Sequence, residues 1–154
     1  MTINEISVLN INLFQSGAKH SDFYFNLLKD HLLRSHRHIE RPHRHDFYAC
    51  IFFTKGTGIH EIDFRTYDVS AGSLFFMSPG QVHSWKLSED ADGFIFVRSQ
   101  EFFDLHYVNQ KLRQYPFFSS IQYPRKLQLE ENNLVEFSDL FSKIGNENAS
   151  SAML

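Results

Sequence analysis

The sequence is poor in cysteine, in basic charge and in long apolar runs. Its single cysteine, Cys50, cannot form an internal disulfide, and we expect it to be a small buried hydrophobe in a reducing compartment. The formal net charge of −3 argues against direct nucleic-acid binding, because duplex binding rests on a surplus of Lys and Arg facing the phosphates. No window approaches ~18 consecutive apolar residues, so no membrane-spanning helix is predicted.

Targeting and phosphate-binding signals are also missing. The N-terminal residues contain no basic region followed by a continuous apolar stretch, so no secretory signal is expected. No glycine-rich loop leads into a helix, which argues against a phosphate-binding loop. A length of 154 residues with a hydrophobic fraction of 42% predicts one cytoplasmic domain with a real core, and the 17 phenylalanines suit a barrel interior packed by aromatic rings.

Short strands separated by glycine-containing turns account for the middle of the chain. Alternating or continuous apolar residues predict strands over 46–53, 59–64, 65–69, 74–77, 82–87 and 94–97. The two glycines of residues 54–58 predict a hairpin turn. This spacing favours a β-barrel or jelly roll, and we expect the barrel core to occupy residues 36–100.

An N-terminal helix is predicted within an arm covering residues 1–35. Ser21 is a suitable N-cap, and Tyr24, Leu28 and Leu32 recur at helical spacing over residues 22–34. Pro42 is incompatible with continuation of that helix.

A C-terminal helical segment is predicted over residues 101–154. It comprises a short helix around 102–105, an irregular region over 116–124 and a longer amphipathic helix. Gly145 is expected to end the long helix, and the tail from residue 147 is expected to be frayed. The apolar stripe of the long helix consists of Leu134, Phe137, Phe141 and Ile144.

Three histidines are placed so that they can meet inside such a barrel. His43 and His45 lie at i, i+2, which puts both imidazoles on one face of a strand. His83 follows the turn 78–80 on a later strand. In the same register Phe47 shares the face of His43 and His45, and Trp85 shares the face of His83. These five side chains therefore form a candidate pocket.

The same residues resemble the two sequence motifs of the cupin barrel, in the version found in the N-terminal effector domains of AraC-type transcription regulators. The resemblance runs from about residue 41 to residue 103. Gly56 is in register with the first motif, and Gly72, Gly80 and His83 match the second. The chain departs from the pattern at Ala49, where the motif has a glutamate, and also at Arg37 and Ser78.

The resemblance implies a mainly β protein: a cupin barrel with flanking helices, followed by a helical dimerisation segment. It implies a non-enzymatic ligand-sensing domain that binds a small-molecule effector without a metal or other cofactor. The effector would contact His43, His45, Phe47, His83 and Trp85. The domain would form a homodimer through Leu134, Phe137, Phe141 and Ile144, and would act on DNA only through a C-terminal domain that this chain, ending at Leu154, does not contain.

Two other functions stay open at the level of the sequence. In the first, the chain is a stand-alone cupin enzyme, a dioxygenase or isomerase, with His43, His45 and His83 as metal ligands. In the second, it is a cupin used only for assembly. Nucleophilic catalysis has little support, because Cys50 and Ser84 lie on the strand faces opposite the histidines.

The remaining basic residues and histidines carry weaker expectations. The triplet 36–38 is predicted to be a solvated linker between helix and barrel. Arg37, Arg41 or Arg44 could meet an anionic effector, since a guanidinium matches a carboxylate or phosphate. We expect His60 to be an exposed strand residue. No role is predicted for His20, His31 or His106.

Overall fold

Two five-stranded β-sheets and a long C-terminal helix make up the structure, a computed structural model that describes residues 6–14, 23–39, 41–99, 101 and 124–152. The strands are β1 Ser7–Leu9, β2 Phe23–Leu27, β3 His43–His45, β4 Phe47–Lys55, β5 Gly58–Ile62, β6 Arg65–Val69, β7 Ser73–Met77, β8 Val82–Leu87, β9 Asp92–Ser99 and β10 Lys126–Gln128. A 3-10 turn covers Ile11–Phe14, and the α-helices are α1 Leu28–Ile39 and α2 Glu131–Ala152.

The strands divide between two sheets that face each other. Sheet A has the order β1-β3-β8-β5-β6, and sheet B has the order β10-β7-β4-β9-β2. Within these sheets β1 and β3 pair in parallel, and the other pairs are antiparallel. None of the described helices is long and apolar enough to cross a membrane.

The core lies between the two sheets. Phe47, Phe53 and Phe75 of sheet B are buried in one cluster with Ile62 and Trp85 of sheet A. Burial of such aromatic side chains is the main stabilising contribution, at ~25 cal/mol for each Å² of apolar surface removed from water. The prediction of a mainly β fold with flanking helices is therefore confirmed.

A second apolar layer explains why β4 is hydrophobic on both faces. Cys50 and Phe52 alternate with the inward residues of β4 and face outward. There they pack in a separate cluster with Phe141 of α2, whose ring centroid lies 5.2 Å from that of Phe52. The order of layers is thus sheet A, sheet B and α2, and β4 is covered from both sides.

Several predicted boundaries are wrong. Residues 23–27, expected in a helix, form β2, because they pair with the edge of β9 in the register Tyr24↔Val97. Residues 54–58 do not form a hairpin, since β4 belongs to sheet B and β5 to sheet A, and the chain crosses between the sheets there. The triplet 36–38 lies in α1, not in a linker.

The long helix also continues past its predicted end. Gly145 does not stop α2, which runs to Ala152 and includes part of the tail that was expected to be frayed. A Cβ at Gly145 would overlap the ring of Phe25, so glycine permits a close approach between α2 and β2. The predicted helix around 102–105 and the irregular region up to residue 123 lie outside the described residues.

A tight turn at Asp63 and Phe64 joins β5 to β6 and holds the start of β8. Both residues have positive φ, 48° and 67°, as in the turn type that connects two-residue hairpins. The Asp63 carboxylate accepts hydrogen bonds from the Val82 backbone N–H and the Gln81 side-chain amide, both at 2.9 Å. These hydrogen bonds therefore hold β8 at Val82, the residue directly before His83.

Candidate ligand-binding site

The structure brings together the three histidines that the sequence singled out. His43 of β3 stands directly opposite His83 of β8 in the antiparallel register, and His45 lies diagonally across from it. The ring centroids are 4.2 Å apart for His43 and His83, 4.4 Å for His45 and His83, and 5.1 Å for His43 and His45. All three rings lie on the inner face of sheet A and are no more than 5% exposed.

The two predicted aromatic neighbours flank this group. Phe47 stacks on His45, with centroids 4.5 Å apart and ring planes 8° from parallel. The Trp85 indole contacts His83 edge-on at 5.5 Å. Both aromatic side chains are buried. The five predicted side chains are thus neighbours in one enclosed region between the sheets.

A fourth histidine, His60, belongs to the same group, which contradicts the expectation that it is exposed. Its side chain is 0% exposed, and its Nε2 lies 2.8 Å from Nδ1 of His83. Ile62 is the residue from which this burial could have been predicted. Residues two apart in a strand share a face, so His60 lies on the same inner face of β5 as the buried Ile62.

Hydrogen bonds constrain the tautomers of the rings. His43 Nδ1 lies 2.7 Å from the Arg41 carbonyl oxygen, which can only accept, so Nδ1 carries a proton and, in the neutral ring, Nε2 carries the lone pair. His83 Nε2 lies 2.6 Å from His45 Nε2. Together with the His60 contact, this makes a chain of three imidazoles across strands β5, β8 and β3.

Burial keeps these imidazoles uncharged near neutral pH. Desolvation is the main cause that lowers the pKa values of His45 and His83 well below 6.5, and the neighbouring imidazoles add to it. The same two causes lower the pKa of His60 to about 3. These three rings therefore offer neutral N–H donors and nitrogen lone pairs.

A further buried histidine, for which the sequence predicted no role, lies close by. His31 of α1 is 2% exposed and packs edge-on against Phe14 at 4.8 Å. Asn26 donates to the Tyr24 hydroxyl at 2.9 Å, and that hydroxyl lies 3.2 Å from His31 Nδ1. Desolvation, assisted by His43, lowers the pKa of His31 to about 4.

The alternative residues for effector binding are placed elsewhere. Arg41 and Arg44 are exposed, because Arg44 alternates with the two inward histidines of β3. The side chain of Arg37 lies outside the described residues, as do His20 and His106. Cys50 lies on the opposite face of β4, as predicted, and burial raises the pKa of its thiol to about 12.

Metal ligation by the predicted residues is geometrically possible. One ring nitrogen from each of His43, His45 and His83 lies within 4.8 Å of the other two. Ala49, at the position of the motif glutamate, is buried among apolar residues on the inner face of β4 and supplies no oxygen ligand. The donor set is therefore three neutral nitrogens, which suits a borderline ion such as Zn²⁺.

The predicted dimerisation stripe on α2 packs largely against its own domain. Phe141 is 5% exposed, and Leu134 and Phe137 are half-buried on the outer face of sheet B. A groove of about 670 Å³ remains between α2 and that sheet, and Ile144 and Leu140 are among its lining residues.

Comparisons with known proteins give the family. No curated protein sequence is similar enough to count as a relative. Solved oxalate decarboxylase from Bacillus subtilis is similar at 15% identity over 59% of this chain and 30% of the other, with a TM-score of 0.33. Apo ToxT from Vibrio cholerae is similar at 15% identity over 80% of this chain and 48% of the other, with a TM-score of 0.44.

This chain therefore spans less than half of each of those solved chains. The model of the AraC-like ligand binding domain family matches residues 31–152, which is most of the sequence and includes every residue of the histidine group. The resemblance drawn from the two motifs is confirmed, and the chain belongs to the AraC-like ligand binding domain family.

Proposed function

We propose that the enclosed region between the sheets is the effector site of a ligand-sensing domain, with His43, His45, Phe47, His83 and Trp85 as its contact residues. The observation that carries the proposal is the convergence of buried imidazoles in an otherwise aromatic interior. Small-molecule sites combine apolar walls with a few convergent polar groups in this way. A small sugar, carboxylate or aromatic compound fits this lining, and the role is binding without catalysis.

Binding can be tested by removing the indole. Small sugars, carboxylates and aromatic acids are screened by the shift in melting temperature they cause, and the best compound is then titrated by calorimetry. Trp85→Ala should weaken its binding at least tenfold while the domain stays folded. Phe64→Ala is the matched control, because that ring is 86% exposed on the turn between β5 and β6. Equal affinity in Trp85→Ala and wild type would place the site elsewhere.

We further propose that effector binding acts on DNA through a partner domain attached beyond Leu154, in a cytoplasmic regulator. An effector can shift an equilibrium only by its differential affinity for two states, so the bound and free domains must differ in how they place the attached domains. A reading frame that continues past Leu154 into helix-turn-helix units is the expected observation. A frame that ends at Leu154 would favour a stand-alone protein.

The domain is proposed to form a homodimer through α2. Since Phe141 is buried against its own sheet, the contacts would come from the half-buried members of the stripe, Leu134, Phe137 and Ile144, of which Phe137 and Ile144 line the groove. In sedimentation, Ile144→Asp should give monomers, while Ser142→Asp, exposed on the same helix, should not. A wild-type protein that stays monomeric at high concentration would refute this interface.

A metal ion is the second candidate occupant of this site, and the hydrogen bonds that orient two of the histidines favour it. Nδ1 of His43 and Nδ1 of His83 are both held by hydrogen bonds, to Arg41 and to His60, and metal-binding imidazoles are oriented by bonds of this kind. His43, His45 and His83 would hold the ion, which would supply Lewis-acid or redox chemistry if the protein were an enzyme. Elemental analysis should then find about one metal per chain, lost in His83→Ala.

A further inference from the structure

The N–H protons in the imidazole chain of sheet A, which runs from His60 through His83 to His45, can be counted. Each neutral imidazole carries one N–H and one lone pair. The two links, His60 to His83 and His83 to His45, use two of the three protons and engage both nitrogens of the middle ring, His83. The third proton therefore lies on a terminal Nδ1, either that of His45 or that of His60.

Neither terminal nitrogen is satisfied by the protein. Among the residues that the structure describes, His45 Nδ1 and His60 Nδ1 are buried without a hydrogen-bond partner. Buried N–H groups without a partner are rarer in proteins than buried acceptors without one, so the surroundings of the two ends decide where the proton lies.

The aromatic neighbours of His60 can accept this third proton. His60 makes a T-shaped contact with Phe75 at 4.6 Å and a tilted one with Trp85 at 5.0 Å, and in such arrangements an N–H on the ring edge can point at an aromatic face. His45 instead stacks parallel on Phe47, so its ring edge does not point at that face. A proton on His60 Nδ1 makes His60 Nε2 an acceptor for the Nδ1–H of His83.

We infer that His60 is a positioning residue: it accepts the Nδ1 proton of His83 and so keeps the lone pair of His83 on Nε2, where it accepts the Nε2–H of His45 in the ligand-free protein. The Arg41 carbonyl likewise places a proton on Nδ1 of His43, and an occupant that binds Nε2 of His83 must displace the N–H of His45 from it. His60 does not touch the occupant and acts through His83. This inference rests on the binding site proposed above, but it makes a statement about the ligand-free protein that can be tested separately.

The first test uses the wild-type domain. Two-bond ¹H–¹⁵N correlation spectra at pH 7.5 show which nitrogen of each histidine carries the proton, and His83→Gln identifies the signals of His83. The expected result is a proton on Nδ1 of His83. A proton on Nε2 of His83 would overturn the inference, and this measurement requires no His60 variant to fold.

The second test changes the acceptor. His60→Gln places an amide oxygen near the position of Nε2 and should keep the His83 tautomer, while His60→Met has similar length without a good acceptor and should give a mixture of tautomers. His31→Met is the control for loss of a buried imidazole outside the chain.

Zn²⁺ titration in calorimetry, with Co²⁺ absorption as a second probe, gives the effect on binding. The Zn²⁺ affinity of His60→Met should be about 10- to 100-fold lower than that of the wild type, as when other hydrogen-bond partners of metal-binding histidines are removed. His60→Gln should recover the wild-type affinity, and His31→Met should not change it. A folded His60→Met protein with the wild-type tautomer and affinity would overturn the inference. If the wild type binds neither ion, the metal proposal fails while the tautomers of the wild type and variants still decide the role of His60.

Discussion

Protonation of His31 should make the folded domain sensitive to mild acid, and a single substitution isolates the effect. The ring is 2% exposed, and its Nδ1 lies 3.2 Å from the Tyr24 hydroxyl, which accepts a hydrogen bond from Asn26 and can donate its own proton to His31. Protonation of His31 would place a charge in this buried position. His31→Asn removes the titration and keeps an acceptor near Nδ1.

The size of the effect follows from the pKa difference between the two states. The pKa of His31 is about 4 in the folded protein against 6.5 for the ordinary residue. Because the folded pKa is the lower one, the unfolded chain binds the proton first, and stability present above pH 6.5 is lost as the pH falls toward 4. The loss is about 1.4 kcal/mol per pH unit within this window, or about 2 kcal/mol between pH 7.5 and pH 5.

Urea unfolding of wild type and His31→Asn at pH 7.5, 6.0 and 5.0 gives the measurement. The free energy of unfolding of the wild type should fall by about 2 kcal/mol more than that of His31→Asn between the extreme pH values. Other buried imidazoles with a lowered pKa, such as His60, destabilise both proteins equally in acid, so their contribution cancels when the two free energies of unfolding are subtracted. His31→Leu should show the same reduced pH dependence but lower stability at pH 7.5, because it removes the hydrogen bond between the Tyr24 hydroxyl and residue 31.

Parallel curves for wild type and His31→Asn, with a constant separation from pH 7.5 to 5.0, would refute the reasoning. They would mean that His31 binds its proton equally well in the folded and unfolded states. A wild type that gains stability in acid would refute it more strongly, since it requires a raised pKa.

Three further outcomes follow from the packing. Gly93→Ala should destabilise the domain by about 3 kcal/mol or more in urea unfolding, because a Cβ there would overlap the Phe52 carbonyl. Gly80 has open space around it, so Gly80→Ala should cost only about 1–2 kcal/mol, for its positive φ. Equal costs for the two variants would contradict this expectation. Phe141→Ala should cost about 3–5 kcal/mol of stability in the same assay, because its ring is buried against sheet B. Val135 is 70% exposed on the same helix, so Val135→Ala should cost less than about 0.5 kcal/mol. Similar values for the two variants would show that α2 is not docked on sheet B. Cys50 should resist thiol reagents until the domain unfolds, since burial raises its pKa to about 12, and rapid labelling of the folded protein would be the contrary result.

The sequence by itself determined the strands of the central region and the face on which their side chains lie. Side chains alternate along a strand with a period of two, so His43, His45 and Phe47 had to share a face once they were extended. The same rule put Cys50 on the other face of β4. These are local consequences of backbone geometry, which is why they could be predicted without knowing the partners of any strand.

The tertiary structure alone decided which faces became interior and which local preferences were overridden. The helical spacing of Tyr24 and Leu28 gave way to strand β2, because the edge of β9 offered a row of backbone hydrogen bonds to residues 23–27. Gly145 lies inside α2 and does not end it, and its missing side chain makes room for the ring of Phe25. His60 became part of the site because β5 pairs with β8 inside sheet A, a contact between residues that are distant in sequence and carry no local signal of their pairing.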